Sequence, residues 1–99
     1  MATRRVEFHP EAAKEAKAAR QWYFDHDLGF ADAFVGELDH AMEMITQAPH
    51  RWPEYIEDTR RYLMRRFPYF VVYHVQESTL TILAVVHARR KPGYWRSRQ

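Results

Sequence analysis

The 99-residue sequence contains no cysteine. Disulfide frameworks and thiolate metal sites are therefore excluded, and the absence fits a reducing compartment. No apolar run approaches the roughly 20 residues that cross a bilayer, and the first residues do not form the apolar core of a secretion signal. We therefore expect one cytoplasmic domain over residues 1–99 that makes no membrane contact.

The sequence also lacks the common motifs of cofactor and metal chemistry. It contains neither a glycine-rich phosphate loop nor a serine or cysteine nucleophile motif. Most of its histidines have no consistent metal-ligand spacing. We therefore expect no cofactor and no metal. The histidines concerned are His9, His26, His40, His50 and His74.

Charge is distributed unevenly along the chain. Residues 1–50 contain five Lys/Arg and nine Asp/Glu, whereas residues 51–99 contain ten and four. From Arg60 onward, nine cations accompany a single acidic residue, Glu77. Such an excess attracts polyanions or acidic proteins when it lies on one surface. The alternative at this point is a solvated charge excess spread over several elements.

The first half of the sequence predicts a strand and two helices. Residues 3–9 alternate around two apolar positions and predict a strand from Thr3 to His9. Pro10 suits the first turn of a helix, and the spacing of Ala12, Ala16, Ala19 and Tyr23 predicts its buried face. We also expect the neighbouring aromatics at positions 22 and 24 to be core residues. The helix is predicted to end at Leu28-Gly29.

The second helix is predicted over residues 31–48, with Pro49 ending it. A short link around Gly29 makes the two helices an antiparallel hairpin. Its apolar stripe predicts the face that packs on a sheet. The stripe consists of Phe30, Phe34, Leu38, Ala41 or Met42, and Ile45.

Three strands are predicted in the second half, over residues 61–67, 69–75 and 80–87. The last is apolar on both faces, which is typical of a central strand. The short turns between them favour an antiparallel meander. The order of elements predicts an α+β fold in which the N-terminal strand and the helix hairpin precede the meander, in a helix-on-sheet sandwich.

Arginines follow this pattern into the predicted sheet. Side chains alternate between the two faces of a strand, so Arg61 and Arg65 share one face and Arg66 lies on the other. Arg89 and Arg90 leave the last strand. We expect these cations to converge on one concave, basic surface.

The sequence resembles the toxins of the RelE/ParE superfamily, of the plasmid stabilisation type. Five pieces carry the resemblance in the order and at the spacing of that family, and they cover nearly the whole length. They are Val6-Glu7-Phe8-His9-Pro10-Glu11-Ala12, Trp22-Tyr23, Ala48-Pro49 to Trp52-Pro53, Arg60-Arg61 to Arg65-Arg66-Phe67-Pro68-Tyr69, and His87-Ala88-Arg89-Arg90-Lys91-Pro92-Gly93-Tyr94-Trp95.

The resemblance implies a toxin of a type II toxin–antitoxin system that inhibits growth until a small antitoxin binds it. The superfamily contains two mechanisms. RelE-like members bind the ribosome and cut messenger RNA without a metal, whereas ParE-like members inhibit DNA gyrase. A nucleic-acid-binding module without toxicity is a third interpretation that also fits the basic sequence.

On the nuclease interpretation, the resemblance implies a site of arginines that hold the phosphate, a tyrosine that stacks on or protonates the substrate, and a histidine that exchanges a proton. The RelE-like lysine pair is missing, and arginine is a poor general base. We therefore favour ParE-like inhibition of gyrase. The candidate catalytic residues are Arg65, Arg66, His87, Arg89, Arg90 and Tyr94.

On either interpretation we expect an acidic antitoxin to cover the cations, in a hetero-oligomer that salt weakens. It would add a helix to the hairpin, a strand to the sheet edge, or both. Gyrase or the ribosome with its messenger RNA is the expected target. The candidate partner-binding residues are Arg60, Arg61, Arg89, Arg90, Lys91, Trp95 and Arg96.

Overall fold

The computed structural model describes residues 4–99 and has the expected α+β fold. The predicted meander is confirmed, while Thr3, the predicted start of the first strand, lies outside the described residues. The elements are β1 (Arg5–Phe8), α1 (Pro10–His26), α2 (Leu28–Gln47), β2 (Arg60–Leu63), β3 (Tyr69–Gln76), β4 (Thr79–His87) and a short 3-10 helix (Arg96–Arg98).

The four strands form one sheet in the order β1-β4-β3-β2. The meander is antiparallel, and β1 is added to β4 in parallel because the helix hairpin carries the chain back across the sheet. The strand β1 pairs only with the segment Thr79–Ile82 of β4. Among residues 4–99, the remaining half of β4 therefore has no strand neighbour on that side.

The two helices meet at Asp27, not at Gly29. Asp27 has an extended backbone, its N–H donates to the carbonyl of Tyr23 at the end of α1, and its carboxylate accepts the N–H of Gly29 at 2.8 Å. A side chain that caps the next helix allows a one-residue link, because it satisfies an amide that has no partner within the helix. The prediction that Gly29 ends the first helix was therefore wrong.

The helix hairpin buries one face of the sheet. Ala12 and Ala19 of α1 are buried with Phe34 and Ile45 of α2, and the small alanines let the helices approach the strands closely. Phe30, which was predicted to belong to this core, is 57% exposed because it lies in the first turn of α2, beyond the edge of the sheet contact.

The opposite face of the sheet has a smaller core of its own. Trp95 is fully buried there against Phe70 and Val72, with Tyr55 stacked 5.5 Å from its ring. An irregularity in the pairing of β3 with β4 turns Leu83 and Ala84 to this same face. The C-terminal segment thus covers a face that would otherwise be open.

The first strand of the meander is shorter than predicted. It ends at Leu63, which is 57% exposed, whereas Tyr62 and Met64 are buried beneath the helices. Residues 65–68 form a bend. The carboxylate of Glu37 accepts hydrogen bonds from the backbone N–H groups of Arg65 and Arg66 in this bend. None of the helices within residues 4–99 is long and apolar enough to span a membrane.

Candidate functional site

Four of the candidate arginines lie at one end of the sheet. Arg65 and Arg66 belong to the bend between β2 and β3, and Arg89 and Arg90 follow β4; all four are exposed. We call these four residues the sheet-end cluster. The pairing of β3 with β4 brings the two pairs to the same end.

Backbone contacts hold the two parts of the sheet-end cluster side by side. Tyr69 pairs with His87 at the end of the ladder between β3 and β4. Beyond that pair, the N–H of Ala88 donates to the carbonyl of Pro68 at 2.7 Å. The segments that carry the arginines are therefore neighbours through hydrogen bonds that do not involve the arginine side chains.

Glu37 of α2 fixes the bend that carries the first pair. Its Oε1 accepts the N–H of Arg65 at 2.5 Å and the N–H of Arg66 at 2.9 Å. Its Oε2 lies 3.7 Å from the Nε of Arg66, and the carboxylate side chain is only 8% exposed. Sequence reasoning did not identify Glu37, although it lies three residues after buried Phe34 and four before buried Ala41, which is the spacing of a shared helix face.

The other predicted arginines do not join the sheet-end cluster. Arg60 donates to the carbonyl oxygens of His50 at 3.2 Å and Trp52 at 2.6 Å, which ties down the loop before β2. The guanidinium of Arg61 lies 4.4 Å from the ring centroid of Tyr55, on the sheet face opposite the helices. The expectation of one convergent surface is therefore corrected, because local carbonyls and rings engage this pair.

The C-terminal candidates differ in exposure. Trp95 is fully buried, so its predicted place at a partner surface is corrected to a place in the core. Lys91 is exposed. Arg96 is also exposed, and its Nε lies 3.7 Å from a carboxylate oxygen of Glu57.

Tyr94 is tied to the first helix. Its hydroxyl donates to Oε2 of Glu15 at 2.6 Å, and the guanidinium of Arg90 lies 4.0 Å from its ring centroid. Burial raises the pKa of the Tyr94 phenol, and its hydrogen bond to the carboxylate raises the pKa further. The phenol therefore holds its proton tightly within a contact inside the protein.

His87 opens toward a groove between α1 and the end of the sheet. Its Nδ1 accepts the N–H of Arg89 at 3.1 Å, and its ring lies edge-on to Tyr69 at 5.1 Å. A cavity of about 230 Å³ lies beside it, with Trp22, Arg90 and Tyr94 among its lining residues. The second ring nitrogen is the only one left for proton exchange, since the backbone amide occupies the first.

Two aromatics of α1 were predicted wrongly as core residues. Trp22 is 55% exposed and stacks on His26 at 3.9 Å, and Phe24 is 46% exposed. Tyr23, between them, packs against the core as expected. Three consecutive residues of a helix point in different directions, so only one of them faces the sheet.

The geometry of the site does not decide the protein family, whereas a match to a family model does. The model of the ParE toxin of the type II toxin–antitoxin system, parDE, matches residues 6–92. The chain belongs to the ParE toxin family. The match includes both halves of the sheet-end cluster and Glu15, and it ends before Tyr94.

A solved structure agrees with the fold of this ParE-family chain. The structure described as "Chromosomal ParDE TA system from P. aeruginosa" superposes with a TM-score of 0.76 at 16% sequence identity. The superposition covers 86% of this chain and 96% of that chain. At this identity the likeness concerns the fold alone. A search of curated proteins found no match.

Proposed function

We propose that this toxin inhibits DNA gyrase by binding it, without catalysing a reaction. The observation that carries the proposal is the contact of Tyr94 with Glu15. A nuclease of this superfamily would use the tyrosine hydroxyl on its substrate. Here that hydroxyl donates a hydrogen bond of 2.6 Å to a carboxylate of the same protein. A phenol with a raised pKa is also a weaker general acid, because it releases its proton less readily.

Few of the remaining residues can act as the general base in RNA cleavage. The three lysines of the sequence, Lys14, Lys17 and Lys91, lie outside the segment from α2 to the end of β4. Arginine stays protonated and does not replace them as a base. His87 favours the alternative, a ribosome-dependent nuclease, because its side chain lines the groove, although its Nδ1 accepts the N–H of Arg89 and the neutral ring then carries its proton on the other nitrogen.

We infer that a small acidic antitoxin neutralises this toxin by covering the sheet-end cluster, in a toxin–antitoxin hetero-oligomer. Its four arginines are exposed, and Arg66 makes the only carboxylate contact of the four among residues 4–99, at 3.7 Å. Exposed cations attract carboxylates over distances that salt screens. The complex should therefore weaken as the salt concentration rises.

Two parallel assays test the choice of target. Purified toxin is added to a gyrase supercoiling reaction and to a translation reaction in which cleavage of messenger RNA is followed. The proposal expects loss of supercoiling and intact messenger RNA. Cleaved messenger RNA with normal supercoiling would establish the nuclease instead, and His87→Ala should then abolish the cleavage.

Expression in growing cells separates a toxin from a nucleic-acid-binding module without toxicity. The proposal expects induction to arrest growth, and co-expression of the partner protein to restore it. Normal growth during strong expression of folded protein would contradict the proposal.

A further inference from the structure

In the described part of the chain, the second half of β4 has no strand beside it on the side of β1. The last backbone contact on that side runs from the N–H of His9 to the carbonyl of Ile82 at 2.8 Å, and then the chain turns away into α1. The next backbone groups of that edge are the carbonyl of Leu83 and the N–H of Val85. Buried backbone groups of this kind need hydrogen-bond partners.

Two side chains from opposite ends of the sequence supply those partners. Oε1 of Glu15 accepts the N–H of Val85 at 3.0 Å, and a terminal nitrogen of Arg98 donates to the carbonyl of Leu83 at 2.9 Å. Glu15 and Arg98 also bind each other through two contacts, at 2.9 Å and 3.2 Å. Together they occupy the place where a further stretch of β1 would lie.

This pair is shielded from solvent. The side chains of Arg98 and Glu15 are 13% and 17% exposed, so water screens their attraction far less than that of an exposed pair. The hydroxyl of Tyr94 adds a third donor to the same carboxylate at 2.6 Å. The carboxylate is therefore held by the sheet, by the 3-10 helix and by the segment that links them.

We propose that Glu15 and Arg98 are positioning residues that replace the missing strand pairing and thereby hold residues 88–98 in place. The arginines at positions 89 and 90 lie in this segment, between the end of β4 and Tyr94. Without the pair, the position of the two cations would depend on buried Trp95 and on the backbone contact of Ala88 with Pro68. The inference rests on the proposed function, since it assigns the pair a role in presenting cations to the target.

Amide hydrogen exchange on the full chain tests the positioning directly. Glu15→Ala and Arg98→Ala should each speed exchange at the hydrogen-bonded amides of Val85, Arg96 and Arg98 by about tenfold or more, since each removes charged hydrogen bonds that hold this segment. Glu15→Gln keeps one acceptor and should give a smaller change. Glu43→Gln, an exposed change on α2, is the control and should give none.

Unchanged exchange in the Glu15→Ala protein would overturn the proposal. So would an increase of equal size across the whole chain, because that result describes general loss of stability. The thermal unfolding midpoint, measured on the same samples, separates the two cases.

The polarity of the pair gives a second, sharper test. In the swapped protein Glu15→Arg with Arg98→Glu, a cation faces the N–H of Val85 and a carboxylate faces the carbonyl of Leu83. The proposal expects no rescue of slow exchange, since donor meets donor and acceptor meets acceptor. If the swapped protein regained slow exchange, the pair would act only as an ion pair. That result would overturn its role in replacing strand pairing.

Gyrase inhibition then links the pair to function. Glu15→Ala should weaken inhibition more than Ile45→Val, a change in the helix-side core chosen for similar loss of thermal stability. Equal inhibition by the two variants would make the role of Glu15 merely structural. If the unmodified toxin leaves gyrase unaffected, the proposed function fails, whereas the exchange measurements still decide the positioning.

Discussion

Two groups of arginines in the meander have different surroundings. Arg60 and Arg61, at the start of β2, are engaged by carbonyl oxygens and aromatic rings of the preceding loop and of β3. The four arginines of the sheet-end cluster all remain exposed, although the guanidinium of Arg90 also lies 4.0 Å from the ring centroid of Tyr94. The cationic side chain is the same in both groups, so the difference in exposure follows from the carbonyls and rings that surround it.

The loop before β2 offers acceptors that the sheet end lacks. Residues 48–59 run close to β2 and turn their carbonyls toward Arg60, whose side chain is 25% exposed. At the other end of the sheet, the carboxylate of Glu37 accepts mainly backbone N–H groups. The side chain of Arg66 therefore remains 72% exposed. An arginine thus stabilises the fold where carbonyls converge on it, and is available to a partner where they do not.

The largest effect on stability is expected from Arg60→Ala. The change leaves the carbonyls of His50 and Trp52 without their donor, and hydrogen bonds from charged groups contribute about 1.5–3 kcal/mol. We expect a loss of about 2–3 kcal/mol in the free energy of unfolding, measured with urea. A loss below about 0.5 kcal/mol would remove the distinction between the two groups.

A smaller loss is expected from Arg61→Ala. The guanidinium lies 4.4 Å and 5.2 Å from the ring centroids of Tyr55 and Phe70, and each such contact contributes about 0.5–1 kcal/mol at exposed sites. We expect unfolding to become easier by about 1 kcal/mol. Arg61→Lys should recover only part of the loss, because an ammonium does not stack on a ring as a planar guanidinium does.

The sheet-end cluster should hardly affect stability. Arg65→Ala with Arg66→Ala should alter the free energy of unfolding by no more than about 0.5 kcal/mol. Arg89→Ala with Arg90→Ala should alter it by about 0.5–1 kcal/mol, because the guanidinium of Arg90 lies 4.0 Å from the ring centroid of Tyr94. Gyrase inhibition and the salt-sensitive part of antitoxin binding should nevertheless be lost. Full activity of both paired variants would contradict the functional half of the comparison.

The smallest effect is expected from His74, which lines a cavity with Arg60 near the start of β2. Burial lowers the pKa of His74, and Asp58 partly offsets this. A lowered pKa in the folded state means that the unfolded chain binds the extra proton first. The contribution of neutral His74 is therefore present above about pH 6.5 and is lost as the pH falls below that value.

His74→Gln should flatten this part of the profile. Urea unfolding of both proteins at about pH 7.5 and about pH 5.5 measures the difference. An equal or steeper fall in the variant would contradict the assignment of this acid response to His74.

Much of the fold could be predicted from local patterns. The alanine face of α1, the buried positions of α2 and the apolar run of β4 each determine their element by periodicity, which depends on neighbours in the sequence. The prediction failed at Phe30, where an apolar residue extends beyond the edge of the sheet. Periodicity gives the direction of a side chain, but not whether another element lies there to cover it.

The site was predictable in part for the same reason. The pairing of β3 with β4 follows from a short turn, and this pairing brings Arg65 and Arg66 to the same end of the sheet as Arg89 and Arg90. The roles of Arg60 and Trp95 were missed. Both depend on the conformation of a loop and of the C-terminal segment, and neither segment has the sequence periodicity from which a conformation can be predicted.

The sequence by itself determined the order of elements, the helix-on-sheet arrangement and the toxin family, because each rests on patterns between near neighbours or on motifs in a fixed order. Only the tertiary structure decided which cations are free and which are engaged. Glu37 binds amides 28 and 29 residues away, and Glu15 binds Arg98 at a distance of 83 residues. Partners so remote meet only after the chain has folded, so the chemistry of each arginine follows from the packed structure.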